Sequence, residues 1–354
     1  MKTKISRWLS LLLLLLPAGC TTILDTSDAD VIIISVDTLR ADHLGIYGYK
    51  QIRTPNIDRL GKNGVVFEHA RVSTPLTLPS HTSILTGLYP PSHGVRDNGK
   101  YKASENLTTL AEIFKNKGYN TGAVVGSFVL DRRFGLDQGF DHYDDSGFNK
   151  KAGGEEIFFI AERTAKEVTD RALEWVQSLY GVDSKTVAVK GLSGNENKNF
   201  FLLVHYFDPH GLYSPPQPYA SIYKGKPYDG EIAYTDEQIG LLLDGIAEIR
   251  GNKQRVVGLT SDHGESLGEH GEMTHGTYIY DSTVHVPLII SAPDKIKARR
   301  IEWRVRSIDI APTLLELVGT KYDGKMDGSS LVTLIKGKGK DRETYLESSY
   351  ARLH

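Results

Sequence analysis

Two aspartates follow apolar runs that have the composition of buried β-strands. Asp37 directly follows residues 31–36, and Asp262 follows residues 255–260 after one serine. Because the carboxyl ends of parallel strands meet at one edge of an open sheet, we expect both carboxylates at that edge. Burying them there with the imidazole of His263 and the hydroxyl of Thr77 would be costly without a cation. The pattern predicts a metal site suited to ester hydrolysis.

Thr77 stands where a helix is expected to begin. Pro79 suits the first turn of a helix, and residues 82–85 continue it to a stop at Gly87. The free N–H groups of a helix N-terminus favour an anion. A metal-bound hydroxyl at this point would lose its proton more easily and could attack phosphorus or sulfur. The alternative for a threonine in such a loop is ordinary turn chemistry.

Apolar, β-branched runs alternate along the chain with stretches of helical periodicity. This alternation predicts an α/β fold with a mostly parallel central sheet covered by helices on both faces. The expected strands are residues 31–36, 121–125, 200–206, 255–260 and 286–291, and the helical stretches are 107–117, 162–179 and 231–249. Two polar stretches, at residues 146–156 and 181–199, are predicted to be surface loops.

The N-terminus has the pattern of a targeting segment. Basic residues precede a mainly apolar stretch at residues 8–16, which is shorter than the roughly 20 residues of a membrane-spanning helix. We interpret residues 1–20 as a lipoprotein-type signal peptide with Cys20 lipidated, and residues 21–30 as a tether; a plain signal peptide is the alternative. The predicted location is that of an exported, membrane-anchored lipoprotein, at the periplasmic face or the cell surface.

The composition is that of an ordinary globular protein. Hydrophobic residues make up 40%, charged residues 24%, and the net charge is −2, so nucleic-acid binding is not indicated. Cys20 is the only cysteine, which excludes disulfides and thiolate metal sites from the mature chain. Residues 31–354 are predicted to form one catalytic domain, incomplete at its C-terminus, because residues 344–350 resemble the start of a further strand.

A series of motifs resembles the sulfatases of the alkaline phosphatase superfamily. The chain is similar to the catalytic domain of that family, and the small C-terminal antiparallel subdomain of its members would be missing or only begun. The motifs lie in unbroken order at residues 36–45, 54–60, 85–90, 93–95, 205–210, 261–265 and 307–313.

The nucleophile motif departs from the sulfatase pattern. Sulfatases convert a Cys or Ser to formylglycine within Cys/Ser-x-Pro-x-Arg, whereas this chain has Thr77 at that position and His81 in place of the arginine. Threonine is not a substrate for that conversion. The motif resembles the threonine motif of nucleotide pyrophosphatase/phosphodiesterases. Those relatives, like the phosphoglycerol transferases of the same superfamily, use an unmodified threonine. We therefore expect hydrolysis of sulfate esters by a metal-bound threonine; a phosphodiesterase or transferase, or an inactive truncated relic, is the alternative.

The resemblance also implies a ligand set for the metal. Asp37, Asp262 and His263 match ligand positions of the family, and Thr77 would complete the set. Many sulfatases have a second aspartate where this chain has Thr38. Fewer oxygen donors make Mg²⁺ or Mn²⁺ as credible as Ca²⁺ for a single divalent metal, with Zn²⁺ a further candidate.

Further residues are implied in catalysis. The resemblance places His210 near the ester oxygen or leaving group, and His275 is a candidate proton donor to the leaving group. We also predict that His81 is a catalytic residue. An alternative is that Asp208, His210 and His275 hold a second metal.

Two residues are candidates for binding the charged ester oxygens. Asn98 could donate hydrogen bonds without being titrated, and its alternative is a turn residue. Arg40 could bind the anion or pair with a surface carboxylate. The expected substrate is a small-molecule, glycan or lipid ester.

Overall fold

The fold is built on one large sheet. The computed structural model describes residues 26–148, 151–152, 155–156, 162–181, 198–293 and 295–349. Its strands are β1 (Ala29–Val36), β2 (Val65–Arg71), β3 (Asn120–Val125), β4 (His142–Asp144), β5 (Lys151–Ala152), β6 (Glu155–Glu156), β7 (Phe200–Tyr206), β8 (Gln254–Thr260), β9 (His285–Ser291) and β10 (Arg299–Arg306). Eight strands form a sheet in the order β10-β2-β9-β8-β1-β7-β3-β4, and β5 pairs with β6 separately.

The predicted α/β fold with a mostly parallel sheet is confirmed. The strand β1 lies between β7 and β8 and is parallel to both. In this sheet β9 runs antiparallel to β8 and β2, whereas the other paired strands are parallel. The strands β2 and β10 were not expected from the sequence, because polar and charged residues interrupt their apolar runs.

Helices cover both faces of the sheet. They are α1 (Pro55–Lys62), α2 (Thr77–Thr86), α3 (Pro90–His93), α4 (Leu110–Asn116), α5 (Ala165–Tyr180), α6 (Tyr219–Ile222), α7 (Pro227–Arg250), α8 (Asp281–Val284), α9 (Ile310–Leu317) and α10 (Val332–Ile335). Within β1, Val31 and Ile33 pack in the core with α2, α4 and α9, whereas Ile32 and Ile34 pack in the core with α1, α5 and α7. This alternation follows from the two-residue period of a strand, and it explains why every residue of β1 is buried.

Local signals fix the ends of two predicted helices. The helix α5 begins after Thr164, whose side chain accepts from the amide of Glu167 while the Glu167 carboxylate accepts from the Thr164 amide. It ends at Gly181, which has the left-handed conformation favoured by glycine. The helix α4 begins with the same reciprocal pair, formed by Thr109 and Glu112.

The chain ends are only partly described. The predicted signal peptide, residues 21–25 of the predicted tether and most of the loop at 181–199 lie outside the described residues. Ala29 and Asp30, assigned to the tether, belong to β1 instead. Residues 344–349 form no strand in the part of the chain that the structure describes, although the Glu347 amide donates to the Ser73 carbonyl. None of the described helices is long and apolar enough to span a bilayer.

Candidate active site

Asp37 and Asp262 meet at the carboxyl edge of the sheet, as predicted. Asp37 follows β1 and Asp262 follows β8, and these two strands are paired in parallel. His263 lies between the carboxylates, with its Nε2 atom 3.5 Å from Asp37 Oδ1 and 3.5 Å from Asp262 Oδ2. All three side chains are buried. The pairing of two strands therefore creates a site from residues that are far apart in the sequence.

Thr77 lies against this cluster. It is the first residue of α2, and its Oγ1 atom is 3.3 Å from His263 Nε2. The residue is buried, so its hydroxyl faces the interior of the site. The helix stops at Gly87, which has positive φ, as predicted, whereas Thr77, expected just before the helix, is its first residue.

The polar atoms of the cluster fit a cation. Both carboxylate oxygens of Asp37 and the Oδ2 atom of Asp262 are buried without hydrogen-bond partners among the described residues. Such orphaned acceptors are rare in folded proteins and indicate a missing partner. His263 donates from Nδ1 to the Gly264 carbonyl at 3.0 Å, which leaves the Nε2 lone pair directed at the carboxylates. Asp37, Asp262 and His263 can therefore hold a metal ion.

The electrostatics of the cluster lead to the same conclusion. Burial, together with the neighbouring Asp262 carboxylate, holds the pKa of Asp37 well above its usual range. Burial alone would also raise the pKa of Asp262, but the positive charge that the adjacent His263 and His81 carry when protonated outweighs burial and lowers that pKa. The ligand atoms of Asp37 and Asp262 lie within 4.8 Å of each other, so without a cation the two carboxylates cannot both ionise easily. A bound divalent ion would remove that conflict.

His210 and His275 line the same site, as expected. The His275 ring lies 4.2 Å from that of His263 and 5.1 Å from that of His210, measured between centroids. The Nδ1 atom of His275 lies 3.2 Å from Glu265 Oε1, and Tyr213 donates to the other oxygen of Glu265 at 3.1 Å. Glu265 therefore fixes the orientation of the His275 ring through its Nδ1 atom.

Asp208 does not join these histidines. Its Oδ2 atom accepts from the amide of Ala165, the first residue of α5, at 2.7 Å. Burial raises the pKa of Asp208 to about 6. No group of potential metal ligands within the described ranges includes Asp208, His210 or His275. The alternative of a second metal on these residues is wrong in this structure, because the carboxylate is directed at the start of a helix.

The two predicted anion-binding residues differ in their contacts. Asn98 accepts from the amide of Leu78 through Oδ1 at 2.9 Å, which fixes its side chain beside Thr77 and leaves its amide N–H groups as donors. Arg40 binds Asp42 at 2.7 Å and Glu269 at 2.6 Å. Its guanidinium is thus engaged by carboxylates, which is the alternative that the sequence left open.

A pair of buried histidines lies beneath the cluster. His81, one turn after Thr77, contacts the Thr77 carbonyl at 2.8 Å through Nδ1 and Ser35 Oγ at 3.0 Å through Nε2. His205 on β7 packs edge-on against it, with ring centroids 4.9 Å apart. Burial lowers the pKa of both rings to about 4, so both are neutral at neutral pH.

His205 was missed as a site residue in the sequence. It belongs to one of the recognised motifs, but no role was assigned to it. Its Nε2 atom lies 3.6 Å from Asp37 Oδ2. The signal that could have identified it is its place near the carboxyl end of a strand beside β1, where it pairs in register with Ser35.

Comparison with known proteins identifies the family. The family model named Sulfatase matches residues 29–320, which is most of the chain. The chain belongs to the sulfatase family. It is 29% identical over 346 residues to the ulvan-active sulfatase of Formosa agariphila, covering 87% of this chain and 65% of that protein's length. It is 25% identical to the arylsulfatase of Clostridium perfringens, covering 91% of this chain and 81% of that protein.

Solved structures show the same fold. The phosphonate monoester hydrolase of Agrobacterium radiobacter has a TM-score of 0.70 at 21% identity, covering 90% of this chain and 79% of that one. A protein solved with its substrate D-glucosamine-2-N,6-O-disulfate has a TM-score of 0.69 at 20% identity, covering 89% and 81%. Membership of the sulfatase family thus supports a hydrolase, and the fold and family expected from the sequence are confirmed.

Proposed function

We propose that this sulfatase-family chain hydrolyses sulfate esters with a metal-bound Thr77 as the nucleophile. The observation that carries the proposal is the position of Thr77 Oγ1, 3.3 Å from His263 Nε2 and at the start of α2, in the cluster that holds the unpaired carboxylate oxygens of Asp37 and the unpaired Oδ2 of Asp262. A hydroxyl in that position has a cation site at hand, and the side-chain amide of Asn98 lies beside it as a donor for the anion that it would attack.

The residues take distinct roles in this reaction. Asp37, Asp262, His263 and Thr77 would hold one divalent cation, and Mg²⁺, Mn²⁺, Ca²⁺ and Zn²⁺ are its candidates. When bound, the cation would lower the pKa of the Thr77 hydroxyl and neutralise charge on the ester.

Side chains of this protein carry out the attack on the ester and the steps that follow. Thr77 Oγ1 gives up its proton to solvent and bonds to sulfur as the bond between sulfur and the alcohol oxygen breaks, which leaves a covalent threonine ester. His275, oriented by Glu265, gives a proton to the departing alcohol. The His210 ring, whose centroid lies 5.1 Å from that of His275, contacts the same alcohol. Water then attacks sulfur and gives a proton back to His275, the sulfate leaves, and Thr77 Oγ1 regains a proton from solvent. The amide of Asn98 is placed to bind a charged ester oxygen.

The substrate proposed is a small-molecule or glycan sulfate. The relatives are named for such substrates, among them an ulvan-active sulfatase and an N-acetylglucosamine-6-O-sulfatase of Bacteroides thetaiotaomicron. The chain spans 65% of the length of the ulvan-active sulfatase. The activity of the whole protein is therefore proposed here together with its substrate.

Mass spectrometry during turnover tests the nucleophile. Purified protein is incubated with paired aryl sulfate and aryl phosphate diester substrates, quenched and digested. We expect a sulfate adduct on the peptide that contains Thr77. An adduct that forms with the phosphate diester alone would instead identify a phosphodiesterase or transferase. Turnover with an adduct on another residue would exclude Thr77 as the nucleophile.

We also propose that the protein is exported and anchored in the membrane through a lipid on Cys20. The support is the basic, apolar and small-residue pattern of residues 1–20. Cells fed a labelled fatty acid should incorporate it into the wild-type protein and not into Cys20→Ala, which should lose its membrane association. Labelling of both proteins, or of neither, would contradict the proposed anchor.

A further inference from the structure

The imidazoles around the carboxylates differ in which ring nitrogen carries the hydrogen. His263 faces the Gly264 carbonyl through Nδ1 at 3.0 Å, and His81 faces the Thr77 carbonyl through Nδ1 at 2.8 Å. A carbonyl oxygen can only accept, so both Nδ1 atoms carry hydrogens. For His263 this leaves a lone pair on Nε2, which points at Asp37 and Asp262.

His205 has the opposite arrangement. The backbone amide of Gly126 donates to His205 Nδ1 at 3.3 Å, so that nitrogen has no hydrogen and Nε2 carries it. This N–H is buried without a hydrogen-bond partner in the described part of the chain. It lies 3.6 Å from Asp37 Oδ2, a buried acceptor that is likewise unpaired within the described residues. A donor and an acceptor, both orphaned, therefore face each other.

The alternative is a second metal ion. Donor atoms of His81, His205 and Asp262 lie within 4.8 Å of one another, which is close enough to share an ion. However, His81 Nδ1, which lies 3.9 Å from Asp262 Oδ2, carries a hydrogen. So does His205 Nε2, which lies 3.6 Å from Asp37 Oδ2. A protonated nitrogen has no lone pair to give, and the Nε2 lone pair of His81 faces the Ser35 hydroxyl at 3.0 Å, so neither imidazole has a lone pair left for a second ion.

We propose that His205 is a positioning residue for Asp37, acting as a hydrogen-bond donor and not as a metal ligand. A small rotation of the Asp37 carboxylate brings Oδ2 within hydrogen-bond distance of His205 Nε2 and satisfies both orphaned groups. The other oxygen, Oδ1, then stays directed toward His263 Nε2 and the cation. This inference rests on the proposed metal-dependent function.

Metal binding by two His205 variants tests the proposal. His205→Leu removes the donor, whereas His205→Gln places an amide N–H near the same point. We expect one ion per wild-type chain and a metal affinity that falls by about 10–100-fold in His205→Leu, the range typical of outer-shell partners, with recovery in His205→Gln. Chelator competition measures the affinities, and elemental analysis measures the stoichiometry.

Cobalt spectroscopy separates a donor from a ligand. At saturating Co²⁺, His205→Leu should keep the visible bands of the wild type, because no ligand is lost. His263→Leu is the matched control, and it should lose binding or shift the bands. A band shift in His205→Leu, or two ions per wild-type chain, would make His205 a ligand and overturn the proposal. Equal affinities in wild type and His205→Leu would also overturn it.

X-ray absorption tests the proposal on the wild-type protein, so it does not depend on a variant that folds. X-ray absorption of the zinc-loaded wild type should show a single coordinated imidazole, that of His263. Two or more imidazoles would overturn the role of His205 while leaving metal dependence intact. A wild-type protein that binds no divalent ion would overturn both this inference and the proposed function.

Discussion

Thr77→Ala should lose turnover by about 10³-fold or more while still binding the metal, because the variant lacks the only oxygen proposed to bond with sulfur. The remaining ligands, Asp37, Asp262 and His263, are untouched. Initial rates on an aryl sulfate and metal content per chain are the two measurements. Thr77→Ser should keep part of the activity, since it preserves a hydroxyl at the start of α2.

Thr86→Ala is the matched control for this prediction. Thr86 is the last residue of α2, is buried like Thr77, and donates to the Thr82 carbonyl at 2.6 Å. Its loss removes two side-chain hydrogen bonds, the second being one accepted from the Leu88 amide, each worth about 1 kcal/mol of stability, without touching the cluster. Turnover should stay close to the wild type. Full activity of Thr77→Ala would exclude Thr77 as nucleophile, and the absence of turnover in every form would favour the inactive relic.

Removal of the metal should abolish activity and lower the melting temperature. An ion that binds the folded state alone at 100 times its Kd adds about 2.7 kcal/mol of stability, so chelation should lower the Tm by several degrees. Asp37→Asn should remove this metal response. It should also raise the Tm of the metal-free protein, because the variant no longer buries a second carboxylate beside Asp262. Calorimetry with and without a chelator measures these changes.

The strand β1, which Asp37 follows, has a second aspartate near its start that serves as a control. Asp30 is buried in β1 and binds Arg250 at 2.8 Å. Asp30→Asn should lower the Tm with and without metal alike, because it weakens a buried ion pair far from the cluster, and it should keep the metal response. A wild-type Tm that does not change with a chelator, or a metal response that persists in Asp37→Asn, would contradict the proposed ligand set.

The sequence by itself determined the fold class and the core of the site. The runs at residues 31–36 and 255–260 became β1 and β8, since the composition of a strand buried on both faces is a local property. The parallel pairing of these strands then brought Asp37 and Asp262 together, as the rule for open α/β sheets requires. Pro79 and Gly87 likewise marked the helix that begins at Thr77.

The tertiary structure alone decided which polar groups act together. Asp208 is two residues from His210, yet its carboxylate binds the start of α5. Arg40 is held by Glu269 from a distant loop, and the amide of Gly126 sets the hydrogen on His205. The partner of a buried polar group is supplied by whichever backbone or side chain packs against it. Because that neighbour lies far away in the sequence, spacing and composition identified Asp208 and Arg40 without assigning their contacts, and did not identify His205.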